Sequence, residues 1–221
     1  CRHLSLDEMI ANIKAGKPYV IRFKSKGNHL EHVRVHDEIR GDMDLSQNDQ
    51  DIVIYKSDGL PTYHFAHLVD DHYMGTTLVT RGEEWISSLP IHIELFEAMG
   101  WKAPKYAHLP VIMVNDKETH NKRKLSKRKD PEAAVSFFLE QGYPKEGVIK
   151  YLMTIANSNF EAWLLENPKA DLKEFKLSFD KFSLDGALFD MPKLCNISKE
   201  VLANYDKTTF TDQCLAWAEE Y

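Results

Sequence analysis

Between Thr77 and Met113 the chain carries a short apolar run, a helical stretch and a second apolar run, and this order restricts its fold more than any other feature. Thr77-Leu78-Val79-Thr80 has the length and β-branched content of a short buried strand. Glu83 to Met99 reads as a helix, with acids in its first turn and Gly100 at its end. Pro90 cannot donate a backbone hydrogen bond, so a break or kink is expected there, with Ser87 or Ser88 capping the second piece. Leu109 to Met113 supplies the returning strand. Such a unit closes with a right-handed crossover and parallel strands. The predicted fold class is α/β, half of a nucleotide-binding domain, and such domains gather ligands at the carboxyl ends of their strands.

Elsewhere the signals are more local. Val20-Ile21-Arg22-Phe23-Lys24 alternates like a half-exposed strand, and Glu31 to Arg40 is mixed and ends at Gly41-Asp42. Ser57-Asp58-Gly59 with Pro61 predicts a turn after Ile52-Val53-Ile54-Tyr55. His64 to Val69 continues as helix, with Tyr63 and His67 sharing a face at i,i+4. From Asp130 onward the pattern becomes helical, with Asp130 as cap and Pro131 at the first position. Helices are expected over Pro131 to Gln141 and Pro144 to Ala156. Shorter pieces follow near Phe160-Trp163, Asp180 to Phe182 and Ser198 to Tyr205, with a last helix from Thr211 to Glu220.

Charge singles out one segment. The chain carries a formal charge of −6, yet Lys122-Arg123-Lys124-Leu125-Ser126-Lys127-Arg128-Lys129 packs six cations into eight residues. Such a cluster is costly by self-repulsion unless a polyanion meets it. A flexible cationic loop at a strand exit suits a triphosphate, while a solvated surface run or a non-specific nucleic-acid patch gives the same composition.

The order of residues within and before the run is more specific. Lys124-Leu125-Ser126-Lys127-Arg128 resembles the Lys-Met-Ser-Lys-Ser loop of class I aminoacyl-tRNA synthetases. Upstream, Asp58-Gly59-Leu60-Pro61-Thr62-Tyr63-His64-Phe65, Val69-Asp70-Asp71-His72-Tyr73-Met74-Gly75, Arg81-Gly82-Glu83-Glu84-Trp85-Ile86-Ser87-Ser88 and Gly100-Trp101 follow in family order. The chain thus resembles bacterial-type glutamyl-tRNA synthetases over nearly its whole length. The resemblance implies the second half of a Rossmann-like catalytic domain followed by a mainly α-helical stem-contact region. It also implies adenylation of glutamate by ATP, then transfer to the terminal adenosine of tRNA(Glu).

Site roles carried over by that resemblance fall on matching positions. Lys127 faces the charge growing on pyrophosphate, Lys124 shapes the loop or assists, and Ser126 and Arg128 complete it. The backbone of Val111 and Ile112 borders the adenine. Tyr63, His67 and Arg81 line the glutamate pocket, and Trp85 lies near the ATP and tRNA end. Some members carry asparagine where this chain has His67, which introduces a titratable group. For Arg81 the plainer alternative is a salt bridge to Glu83 or Glu84, and for Trp85 it is helix packing. His64, His67 and Asp71 share helical spacing that could hold a metal. The resemblance instead favours an Asp70-Asp71-His72 turn and no protein-held metal, with Mg2+ arriving on ATP.

The expected domains are residues 1–50, the end of an inserted acceptor-stem-binding domain; 51–129, the second catalytic half; 130–197, the stem-contact domain; and 198–221, the start of a helical anticodon-binding region. No His-x-Gly-His occurs and the sequence begins at Cys1, so a fragment inactive alone is expected. A non-catalytic RNA-binding module, or a paralogue charging something else, is the competing class. Cys1, Cys195 and Cys214 form no Cys-x-x-Cys pair, which fits a reducing cytoplasm. No apolar run approaches membrane-spanning length, so no membrane partner is expected.

Overall fold

The structure, a computed structural model, describes residues 2–116, 118–168 and 170–221. Cys1 and one residue of the loop before Lys124 therefore lie outside the described residues. Two compact units divide the chain, Cys1–His108 and Leu109–Tyr221.

The first unit is built on a four-stranded sheet. Helix α1 (Leu6–Lys14) comes first, closed at its start by a reciprocal capping box between Ser5 and Glu8. Strands β1 (Ile21–Arg22), β2 (His32–Asp37), β3 (Gly41–Ser46) and β4 (Val53–Tyr55) follow, with β1 pairing β4 antiparallel. The β2–β3 hairpin turns tightly because the Asp37 carboxylate accepts the amides of Ile39 and Arg40, while Gly41 takes φ +72, a conformation that costs glycine nothing. Then come helix α2 (Tyr63–Met74), strand β5 (Leu78–Gly82), a 3-10 segment (Glu83–Ser88), helix α3 (Leu89–Ala98) and strand β6 (Lys105–Leu109). The sheet order is β3-β2-β6-β5, with β2 parallel to β6 through Asp37 and Tyr106. Residues 32–46 and 78–109 therefore share one sheet.

Two apolar clusters stabilise this unit. Val35, Leu89 and Tyr106 form one, joined by Val33, Met43, Leu45, Val79 and Ile93. Leu68, Leu95 and Phe96 form the other, joined by Phe23, Ile52, Ile54, Phe65, Ile91 and Trp101. Pro90 falls in the first turn of α3, where its missing N–H is not needed. The expected kink is thus a helix start, and Ser88 occupies the cap position without a side-chain bond.

The second unit opens with an antiparallel hairpin, β7 (Met113–Asn115) and β8 (Lys122–Lys124). Helices α4 (Val135–Glu140), α5 (Lys145–Ala156), α6 (Phe160–Glu166), α7 (Met191–Ala203) and α8 (Lys207–Glu220) follow. Helices α5 and α7 approach so closely at Gly147 that an added Cβ there would lie 3.1 Å from Ser198 Cα. Buried Tyr151 accepts the amide of Asp190, tying α5 to the start of α7.

Several local expectations are corrected. Helix α1 and strand β3 were not anticipated, and the returning strand is Lys105–Leu109, not Leu109 to Met113: Pro110 has no N–H to give to a ladder and the strand ends before it. Asp70-Asp71-His72 lies inside α2, not in a turn, because the helix runs on to a left-handed Gly75. Asp130 does not cap: its carboxylate is taken by Arg123 and Ser126, so only a 3-10 turn forms over Pro131–Ala133 and the helix begins at Val135. Asp180 to Phe182 overlaps only a 3-10 turn, Phe179–Lys181, and Ser198 to Tyr205 is mostly the end of the longer α7.

Leu68 is fully buried in its cluster. Leu68→Ala is expected to cost about 2–5 kcal/mol by lost transfer energy and a residual cavity. Leu60→Ala, at a position 57% exposed, should change stability by no more than about 0.5 kcal/mol. Urea unfolding of both variants checks the difference.

Candidate active site

In the first unit the polar side chains converge on Arg81, which stands near the end of β5. Its Nε donates to His108 Nε2 (2.9 Å), its Nη1 to His92 Nδ1 (3.0 Å) and its Nη2 to the Trp85 carbonyl (3.3 Å). A guanidinium cannot accept a hydrogen bond, so both imidazole nitrogens facing it must be bare. The protons therefore sit on the far nitrogens. His108 Nδ1 donates to Asp37 Oδ2 at 2.6 Å, and His92 Nε2 donates to His64 Nδ1 at 2.9 Å. Asp37, His92 and His108 are each fully buried.

The Arg81 charge is not neutralised locally. Among the described residues none of its hydrogen-bond partners is a carboxylate, and Glu83 pairs instead with Arg40. The Arg81 guanidinium does lie over the Tyr106 ring, 5.1 Å from its centroid, and 5.9 Å from that of Trp85. Three of its five N–H groups are engaged, which leaves two for another acceptor.

Aromatic side chains frame this cation. Tyr63 is exposed; it stacks on His67 with centroids 5.8 Å apart and packs against half-buried Trp85 at 4.5 Å. His67 Nδ1 lies 2.6 Å from Asp71 Oδ2. Burial pushes the His67 imidazolium down most, and Arg81 adds to this against the pull of Asp71. Burial and then Arg81 likewise lower His64, and bring His92 down to about 2. Burial alone pushes Asp37 up, but the His108 hydrogen bond and the Arg40 and Ile39 amides outweigh it, and its net shift is downward. Tyr63, His67, Arg81 and Trp85 are thus brought together as the sequence suggested. His64 and Asp71, considered as metal ligands with His67, are drawn to His92 and His67 instead. Among the described residues no three His, Cys, Asp or Glu side chains are gathered as a metal site. A concavity of about 380 Å³ lined by Phe23, Asn48, Ile93 and Glu94 includes none of Tyr63, His67, Arg81 and Trp85.

The second unit carries the cationic loop, and it is clamped. Arg123 forms a bidentate pair with Asp130 (2.6 and 2.7 Å) and reaches Asp116 through Nε at 2.7 Å. The Asp130 carboxylate also accepts the Ser126 amide, and the Ser126 carbonyl accepts the Asp130 amide, both at 2.8 Å. The Arg123 hydrogen bond holds Asp130 at about 2. Lys127, Arg128 and Lys129 project from this closed turn into solvent. The Ile112 carbonyl accepts the Leu125 amide, which fixes the segment holding Val111 and Ile112 to the loop.

Sequence reasoning missed Asp37, His92 and His108. His92 sits between Ile91 and Ile93, and His108 between Ala107 and Leu109, so both read as core positions. The available signal was a polar side chain within each apolar run, which must find a buried partner.

The geometry sets a pH dependence. An imidazole held neutral in the folded state binds no proton where the unfolded chain does, so stability rises with pH across that interval. For His92 the interval runs from about 2 to the ordinary 6.5. The first unit should be fully stable above that upper value and weaken steadily as the pH falls below it. Urea midpoints at pH 5 and 7.5 test this, and His92→Gln should flatten the slope. An unchanged slope in that variant would remove His92 as its source.

Comparisons with known proteins agree across the chain. A family profile described as tRNA synthetases class I (E and Q), catalytic domain, matches residues 1–164. A Clostridium perfringens (strain 13 / Type A) protein named glutamate–tRNA ligase is 54% identical over 220 residues, covering 100% of this chain and 40% of its own length. One of the same name from Clostridium beijerinckii is 51% identical, over 100% of this chain and 39% of its own. This chain therefore spans about 40% of the length of these curated relatives. Among solved structures, a glutamate tRNA ligase from Elizabethkingia meningosepticum in complex with its amino acid superposes with a TM-score of 0.76 and 32% identity, over 91% of this chain and 42% of that one.

Proposed function

The chain belongs to the class I tRNA synthetases of the E and Q type, and from that premise we propose that the protein containing it is a glutamate–tRNA ligase. The observation that carries this reading is Arg81: a half-buried cation held by neutral imidazoles, with no carboxylate of its own and two N–H groups to spare. Such a group suits a substrate carboxylate, bound bidentately. Tyr63 and His67 border the glutamate, and Trp85 lies toward ATP or the tRNA end.

The reaction joins a glutamate carboxylate to the α-phosphate of ATP and releases pyrophosphate. The glutamyl group then passes to a ribose hydroxyl of the 3′-terminal adenosine of tRNA(Glu), which breaks the acyl–phosphate bond and releases AMP. Neither step needs a covalent protein intermediate, so catalysis rests on positioning and charge stabilisation. Lys127, exposed on the clamped turn, meets the charge developing on the pyrophosphate. Lys124, Ser126 and Arg128 complete the phosphate loop, Val111 and Ile112 border the adenine, and Mg2+ arrives with ATP. The wider assignment follows: an acceptor-stem region within 1–50, the catalytic half over 51–129, stem-contact helices over 130–197 and the start of an anticodon-binding region after them, in a cytoplasmic enzyme.

Two measurements on the full-length protein test this reading. Arg81→Ala should raise the KM for glutamate more than that for ATP; equal small effects would make Arg81 structural. Lys127→Ala should slow single-turnover adenylation by about 100- to 1000-fold, the usual cost of one preorganised charge donor. Lys129→Ala, one step outside the matched motif, should change that rate little. If the two lysines behave alike, the run is only a cationic patch.

A further inference from the structure

We infer that Asp37 is a positioning residue for Arg81, acting through the tautomer of His108. The inference rests on the reading that Arg81 takes the substrate carboxylate. Asp37 comes from the β2–β3 turn, His108 from the neighbouring strand β6, and Arg81 from β5, so the three cross the sheet in one line.

Each bond in the line fixes the next. Asp37 uses Oδ1 for the amides of Ile39 and Arg40, and Oδ2 for the amide and Nδ1 of His108. Those two backbone amides anchor the carboxylate, and the carboxylate holds the imidazole proton on Nδ1. His108 Nε2 is then obliged to be an acceptor, which is what Arg81 Nε requires at 2.9 Å. With Nε fixed there and Nη1 on His92, the plane of the guanidinium is set, and with it the direction of its two remaining N–H groups.

An asparagine at position 37 breaks this sequence. If its oxygen keeps the two turn amides, its NH2 faces His108 Nδ1, and the imidazole proton moves to Nε2, against Arg81 Nε–H. In the other orientation the NH2 meets the Ile39 and Arg40 amides and the turn is weakened. At position 108, glutamine still offers Arg81 an oxygen at the ring's far end, whereas phenylalanine offers none.

The test is a double-mutant cycle in the full-length protein, read as KM for glutamate and for ATP. Asp37→Asn is expected to raise the glutamate KM about tenfold, and to add less than about twofold when Arg81 is already alanine. The ATP KM should stay within about twofold throughout. Because Asp37→Asn can weaken the hairpin, His108→Phe and His108→Gln form a second arm. Phenylalanine should reproduce the glutamate defect and glutamine should recover most of it. A defect that persists undiminished in the Arg81→Ala background, an equal rise in both KM values, or equal effects of phenylalanine and glutamine would overturn the positioning role. If Arg81→Ala itself leaves the glutamate KM unchanged, the carboxylate reading falls. If Arg81→Ala raises it and neither Asp37→Asn nor His108→Phe does, only the positioning role falls.

Discussion

The first unit depends on one group that can only donate. Arg81 presents N–H bonds to two imidazoles, and because a guanidinium has no lone pair to offer, the direction of every bond from Asp37 to His64 follows from it. The same cation lowers the proton affinity of His64, His67 and His92, adding to the effect of their burial. A buried array of this kind would be expected to trap a counter-charge. Its carboxylates are instead spent elsewhere, Asp37 on a turn and His108, Asp71 on His67, and Glu83 on Arg40.

Arg123 in the second unit shows the opposite solution. It belongs to the densest run of cations in the chain, yet it is gripped by two aspartates, and their carboxyls are both held below the usual carboxylate range. One cation of the cluster is thereby converted into a structural pin. Its clamp closes Ser126 to Asp130 and leaves the neighbouring Lys127, Arg128 and Lys129 facing water. Identical charge in sequence thus becomes two physical roles, separated only by the reach of Asp116 and Asp130. Because those carboxylates titrate far below neutrality, this clamp should be insensitive to the pH range that disturbs the imidazoles.

Much of this was legible in the sequence. The order of strand, helix and strand around Arg81 was readable, though not the bounds of the second strand, which lies at Lys105–Leu109 and not at Leu109 to Met113. The common face of Tyr63 and His67 and the cationic loop were readable too, because each is written in neighbours a few residues apart. The hairpin partner β3 was not, since Gly41-Asp42 reads as a terminus until Asp37 is seen bending the chain back with its own carboxylate. Asp130 stood in the right place for a cap, and only the tertiary reach of Arg123 removed it. Asp37 and His108 lie 71 residues apart and meet through sheet order, which no local pattern encodes. Helix α1 is the exception: the Ser5-x-x-Glu8 spacing of its capping box is a local signal, written within four residues.

The remaining question is what holds such a polar array together, since isolated buried charge is expensive. Helices α2 and α3 answer it by serving two purposes at once. His92 precedes Leu95 and Phe96 by three and four residues, so it shares their face of α3. On α2, His64 and Leu68 are related in the same way. The imidazoles are therefore the polar margin of the apolar cluster that includes Leu68, Leu95 and Phe96. Burial of that cluster supplies the stabilisation, and the array spends part of it in desolvating imidazoles, whose proton affinity falls as a result. Well-packed apolar side chains in place of such buried polar groups are often as stable or more so. What the polar version gains is a cation whose orientation is fixed by the sheet and whose charge is left for something other than the protein.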